Sequence, residues 1–119
     1  YVFDEIESLR KKLLRDERTI TVTDFGAGSK INSNSQRKIK DIAHNSAKAS
    51  KYGQLLFRLI QKFKPETLFE LGTSLGISTL YQASAAPKSK LISMEGCPET
   101  AAIAKENFQK LKLNSMAID

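Results

Sequence analysis

Val2, Ile6, Leu9 and Leu13 fall three or four residues apart, with Arg10, Lys11, Lys12 and Arg15 on the opposite side. That spacing predicts an amphipathic helix over residues 3–17. Thr19 to Thr23 is a β-branched run and reads as a short strand. Asp24 to Ser35 is crowded with Gly, Ser and Asn and reads as a loop. A second helix is expected over Gln36–Ala47, with Ile39, Ile42 and Ala43 inward and Ser35 as N-cap. After a break near residues 45–51, Leu55, Leu56, Leu59, Ile60 and Phe63 form one stripe of a third helix, Tyr52–Phe63. Pro65 stops it, because proline disfavours helical backbone in the residue before it.

Beyond Pro65 the pattern alternates. Thr67–Leu71 is a short apolar run and reads as a buried strand, Gly72–Gly76 as a loop, and Ile77–Ala85 as a helix ended before Pro87. Lys90–Glu95 reads as the next strand, followed by a helix with Pro98 at its first position and Ala101, Ala104, Phe108 and Leu111 inward. Ser115–Asp119 reads as a third strand. This β-α-β-α-β order predicts an α/β chain of Rossmann-like, three-layer α-β-α type: an incomplete parallel sheet preceded by N-terminal helices. Residues 1–51 are expected to form a helical extension and loop on the substrate side, and residues 52–119 the first half of the ligand-binding domain.

Size and charge narrow this picture. At 119 residues the chain fits one small domain, too short for a doubly wound sheet of six or seven strands. It starts at Tyr1 and stops within an expected strand, so it reads as a fragment of a longer protein, inactive alone. The net charge of +6 comes largely from lysines scattered over helix faces, such as Lys11, Lys38, Lys40, Lys105 and Lys110. That is a solvated surface rather than a nucleic-acid footprint. The single cysteine, Cys97, excludes a disulfide framework within the chain. No apolar run approaches 18 residues, so no membrane span is expected, and the cytoplasm is the default location.

The chemistry concentrates in Leu68-Phe69-Glu70-Leu71-Gly72-Thr73-Ser74-Leu75-Gly76-Ile77-Ser78-Thr79, which joins a strand to a helix. Gly72 permits a sharp turn and close approach of a ligand to the backbone. Gly76 permits tight packing at the helix start. The helix N-terminus offers unpaired N–H groups and a positive dipole end to an anionic group, and Ser74, Ser78 and Thr79 add hydroxyls. The glycine spacing is Gly-x-x-x-Gly after an acidic residue, not the Gly-x-Gly-x-x-Gly that cradles a dinucleotide pyrophosphate. Glu95, 23 residues after Gly72 and at the end of the next strand, can accept both hydroxyls of a ribose. Gly96 leaves room beside it.

The run Glu-Leu-Gly-Thr-Ser-x-Gly-x-Ser-Thr, with Glu95 following, resembles motifs I and II of class I S-adenosylmethionine (SAM)-dependent methyltransferases, particularly the catechol O-methyltransferase-like group. Tyr52-Gly53-Gln54-Leu55-Leu56 resembles the helix that precedes motif I there, and Asp24–Ser29 resembles a loop on the substrate side. The resemblance implies SAM as cofactor and a small-molecule acceptor. Glu70 would then stand near the methionine amine, Gly72, Thr73, Ser74 and Gly76 would offer backbone contacts, and Ser78 would meet the methionine carboxylate. Glu95 would hold the ribose, with Gly96 leaving room for the adenosine beside it, and Ser46 and Lys48 would approach the methionine end of the cofactor. The family's catalytic groups fall on later strands, so none is expected within this chain, and no metal site is read from it.

Two other classes stay open at this point. A nicotinamide-dependent oxidoreductase uses the same fold, but Ser78-Thr79 stands where a third glycine would be expected. A non-catalytic Rossmann-like assembly module is the other, and exposed strand edges at Thr67–Leu71 or Ser115–Asp119 would favour a homodimer. Glu70 could be a structural carboxylate, and Ser78 a simple helix cap. His44 lacks a metal-spaced partner and reads as a surface or packing residue. Cys97 reads as a packing or cofactor-shell thiol.

Overall fold

The computed structural model describes residues 2–24, 33–46, 49–111 and 117–118. Helix α1 (Val2–Leu13) turns Ile6, Leu9 and Leu13 into the core, as their spacing predicts. It ends before the expected Glu17. The N–H groups of Arg15 and Asp16 fold back on Lys12 and Leu13 (3.1 Å each), and the Asp16 carboxylate then takes the backbone N–H of Arg18 at 3.0 Å and its guanidinium at 2.7 Å. Such a local side-chain bond diverts the backbone from helix.

Strand β1 (Thr19–Asp24) pairs antiparallel with β2 (Ser33–Lys38), Thr19 opposite Lys38 and Asp24 opposite Ser33. Strand β2 corrects two expectations, a loop to Ser35 and a helix from Gln36. Its sequence, Ser-Asn-Ser-Gln-Arg-Lys, has no apolar residue, and pairing with β1 overrides a poor strand propensity. Ser35 therefore lies within a strand and caps nothing. Helix α2 (Ile39–Ser46) starts later, and main-chain carbonyls satisfy its first donors. Ile39 N–H bonds to Arg18 at 2.9 Å, and Lys40 N–H to Asp16 at 3.0 Å. Ile39, Ile42 and Ala43 face inward as expected.

Helix α3 (Ser50–Phe63) stops at Lys64, which takes a left-handed conformation (φ 49°) ahead of Pro65 and bonds its N–H to Ile60 at 2.9 Å. Strand β3 (Thr67–Leu71), helix α4 (Ile77–Ala85), strand β4 (Lys90–Met94), helix α5 (Pro98–Lys110) and strand β5 (Ala117–Ile118) follow in the expected order. The three strands are parallel and ordered β3-β4-β5, with Phe69 opposite Ile92 and Ser93 opposite Ile118. Strand β4 ends one residue early, leaving Glu95 just past the ladder.

One apolar cluster unites both halves: Ile6, Leu9 and Leu13 of α1, Ile39 and Ile42 of α2, and Leu80, Tyr81, Ile103 and Phe108 of α4 and α5. Helix α3 packs against it through Phe57 and through Gly53, which meets the Tyr81 ring. The expected apolar stripe divides there: Leu55, Leu59 and Phe63 remain exposed. Strand β3 is not the buried strand its composition suggests, since Phe69 is 62% and Leu71 80% exposed. Both lie on the sheet face opposite Leu68 and Glu70.

Tyr81 closes the centre. Its ring is fully buried, and its hydroxyl donates to Glu7 at 2.5 Å. Burial, then the bond to Glu7, pushes its phenol up to about 12. A phenol whose folded value lies above its unfolded value of 10 stabilises the fold fully below pH 10. That contribution is lost as the pH rises toward 12. Thermal melts across this range should show stability falling, and Tyr81→Phe should flatten the dependence. Gly53 touches the same ring, and an added Cβ would lie 2.4 Å from it. Gly53→Ala should cost about 1–3 kcal/mol by overpacking, measured by urea denaturation.

Candidate functional site

The loop from Gly72 to Gly76 runs over the carboxyl end of the sheet and is tied to it by main-chain bonds. The N–H groups of Gly72 and Thr73 both reach the Met94 carbonyl, at 2.8 and 2.9 Å, and Gly76 N–H closes on Thr73 at 3.0 Å. Three of its residues have positive φ: Gly72 at 88°, Ser74 at 51° and Gly76 at 89°. The two glycines serve different ends. A Cβ on Gly76 would lie 2.6 Å from the Phe108 ring, so this glycine lets the loop seat on α5. A Cβ on Gly72 would meet nothing within 4 Å, so there the backbone is open to a ligand. The α5 side chain Asn107, wholly buried, donates to the Leu75 carbonyl at 2.8 Å and holds the middle of the loop.

Beneath the loop lies a polar cluster. The Glu70 carboxylate accepts Ser93 Oγ at 2.6 Å and Gln82 Nε2 at 2.5 Å, and also the Thr79 hydroxyl. Thr73 Oγ1 and Ser93 Oγ are 2.5 Å apart. Three of the roughly four acceptor positions of the Glu70 carboxylate are thus used by the chain itself. Glu95 is held from above: Ser74 N–H reaches its Oε1 at 2.8 Å and Cys97 N–H its Oε2 at 3.1 Å.

Two adjoining pockets follow the loop. One of about 230 Å³ is lined by Glu70 to Ser78 and by Ser46. The other, about 170 Å³, has Ser74 and Glu95 on one side and residues of β1, β2 and α2 on the other. Glu70, Gly72, Thr73, Ser74, Gly76 and Ser78 therefore share the first pocket, and Glu95 lines the second. Gly96 is exposed and lines neither. Ser46 joins them, while Lys48 and residues 25–29 of the Gly-rich loop lie outside the described residues. Helix α4 has no side-chain N-cap bond, and its first residues, Ile77 and Ser78, line the first pocket, which puts the positive end of the helix dipole beside it. His44 is exposed and lines neither pocket. Cys97 is buried, with Sγ 3.6 Å from the Thr21 carbonyl. Burial raises its thiol pKa, but bonds from Thr100, Thr23 and Glu99 outweigh this and leave it below the ordinary value.

Ser93, Gln82 and Asn107 escaped the sequence reading. Each is a polar residue at a position whose apolar neighbours face the core, and that interruption of the pattern was the available signal.

This geometry has counterparts among known proteins. A putative O-methyltransferase from Klebsiella pneumoniae superposes with a TM-score of 0.60 at 26% identity, over 63% of this chain and 35% of that one. An O-methyltransferase from Bacillus cereus, solved with S-adenosylhomocysteine (SAH), matches 99% of this chain and 42% of its own at a TM-score of 0.59 and 17% identity. The fold is that of the class I O-methyltransferases. In sequence, the catechol O-methyltransferase of Niastella koreensis is 39% identical over 64 residues, 53% of this chain and 29% of the relative. The human transmembrane O-methyltransferase is 44% identical over 55 residues, 45% of this chain and 19% of the relative. The chain thus spans less than a third of the length of these curated relatives. No protein-family model matches it. Among the described residues no helix is long and apolar enough to cross a membrane, and no cluster of metal-binding side chains occurs.

In this O-methyltransferase fold the loop depends on Gly76. Gly76→Ala combines a positive φ with a ring contact, and should lower stability by about 1–3 kcal/mol. Hydrogen exchange should show faster exchange at residues 73–76 than elsewhere in the variant.

Proposed function

We propose that the chain forms the cofactor-binding part of a SAM-dependent methyltransferase that acts on an oxygen nucleophile of a small molecule. The observation that carries this reading is the loop over the sheet end, open at Gly72 and followed by Glu95 at the next strand end. The named relatives and neighbours, several of them O-methyltransferases, support it. A structure of one of these, from Streptomyces achromogenes, contains SAM.

The residues suit that cofactor. The open backbone at Gly72 and the α4 N-terminus favour a carboxylate, and Ser78 adds a hydroxyl beside it. The remaining acceptor position of Glu70 is available to an ammonium group. When bound, SAM supplies a methyl group already activated on a sulfonium. The chain's part is to fix that end of the reaction in place, so that an acceptor oxygen can attack in line as the carbon–sulfur bond breaks. No residue described here is assigned to removal of the acceptor proton.

We place the enzyme in a reducing compartment, the cytoplasm, because the one thiol of this chain, Cys97, stands free. The exposed Phe69 and Leu71 beside the β3 edge support self-association. Light scattering should show a dimer at high concentration, and a clean monomer would end that idea.

Isothermal titration should show SAH binding and no NAD binding. Glu95→Ala should weaken SAH by roughly tenfold or more, as expected for losing a charged hydrogen-bond acceptor. Preference for NAD over SAH would return the oxidoreductase reading to the front.

A further inference from the structure

Each of the two pockets is smaller than an ordinary ligand site of roughly 300–1,000 Å³. They share Ser46 and Ser74 as a common wall, and together they reach that range. The second pocket has Glu95 on one side. On the other stand Arg37 of β2 and Asp41 and Asn45 of α2. Asp41 and Asn45 are four residues apart, so they lie one above the other on a single helix face. That face is exposed, whereas Ile39, Ile42 and Ala43 are buried.

We propose that α2 forms the second wall of the cofactor's sugar chamber, with Asp41 and Asn45 meeting the ribose hydroxyls from the side opposite Glu95. This rests on the methyltransferase reading above and adds residues to its site. Glu95 already accepts the N–H groups of Ser74 and Cys97, at 2.8 and 3.1 Å. About half its acceptor positions are therefore in use. A vicinal diol brings two donors and several lone pairs, and the Asp41 carboxylate and Asn45 amide complete the set. Charge selects the ligand class. Two carboxylates and one guanidinium line the chamber, and a net negative wall repels a phosphate while it accepts hydroxyl hydrogens. The hairpin that carries Arg37 is fixed next to this chamber, since Glu99 takes the Thr21 N–H and Cys97 Sγ lies 3.6 Å from the Thr21 carbonyl.

The test is calorimetric titration of SAH, adenosine, 2′-deoxyadenosine and methionine into the wild-type chain, Asp41→Ala and Asn45→Ala. Circular dichroism would confirm that both variants fold, as expected for exposed positions. Asp41→Ala should weaken SAH and adenosine about tenfold, reduce the preference for adenosine over 2′-deoxyadenosine, and leave methionine unchanged. Asn45→Ala should move the same ligands in the same direction. If the wild type binds SAH and both variants match it, the proposal falls while the cofactor reading stands. Equal losses for methionine and adenosine would also overturn it, because the defect would then lie in the loop. Failure of the wild-type chain to bind SAH overturns this proposal, and failure of the full-length protein to bind it overturns the cofactor reading as well.

Discussion

The site depends on one main-chain acceptor, the Met94 carbonyl. It receives both Gly72 and Thr73 N–H groups at the end of β4 and so fixes where the loop leaves the sheet. Everything else that holds the loop acts on a chain already anchored there. Glu95 takes Ser74 from the solvent side, Asn107 takes Leu75 from the helix side, and the Phe108 ring fills the space that Gly76 leaves open. Of its three residues at positive φ, Gly72 and Gly76 adopt that conformation freely, and only Ser74 carries a conformational cost. These contacts come from two sides, the end of β4 and helix α5, and the Ser74 N–H bond to Glu95 falls on the strained residue itself.

The polar cluster under the loop explains why a carboxylate sits half-buried at Glu70. Its donors, Thr79, Gln82 and Ser93, come from the helix after the loop and the neighbouring strand. The cluster therefore ties β3, α4 and β4 together at the point where the ligand would rest. A buried polar network of this kind specifies one arrangement only while each member is satisfied. Glu70 thus combines the two readings its sequence allowed, structural carboxylate and pocket lining.

Much of this was legible in the sequence. The alternation after Pro65 set out β3 to α5 nearly residue by residue, because strand and helix periods there coincide with glycine and proline boundaries. The loop residues from Gly72 to Ser78 were found because glycines and hydroxyls cluster at a strand-to-helix junction. Strand β2 was missed because Ser-Asn-Ser-Gln-Arg-Lys has neither the alternation nor the side chains of a strand, and only its partner makes it one. The division of α3 into a packed and an exposed face was hidden because Gly53, small and uninformative in a hydrophobic pattern, is the residue that meets Tyr81. Asp41 and Asn45 were passed over because polar residues on a helix face look like ordinary solvated surface until the fold brings them to Glu95.

Helix α2 begins on the carbonyls of Asp16 and Arg18, not on any side chain. Every residue type except proline carries the amide hydrogen, and all carry the carbonyl, so this junction can persist while the letters around it drift. A segment seated by main-chain atoms leaves little trace in residue identity. The Bacillus cereus enzyme accordingly follows this chain over 99% of its length with 17% identity, whereas recognisable sequence kinship to the Niastella koreensis enzyme extends over 53%. Shape in this fold outlasts spelling.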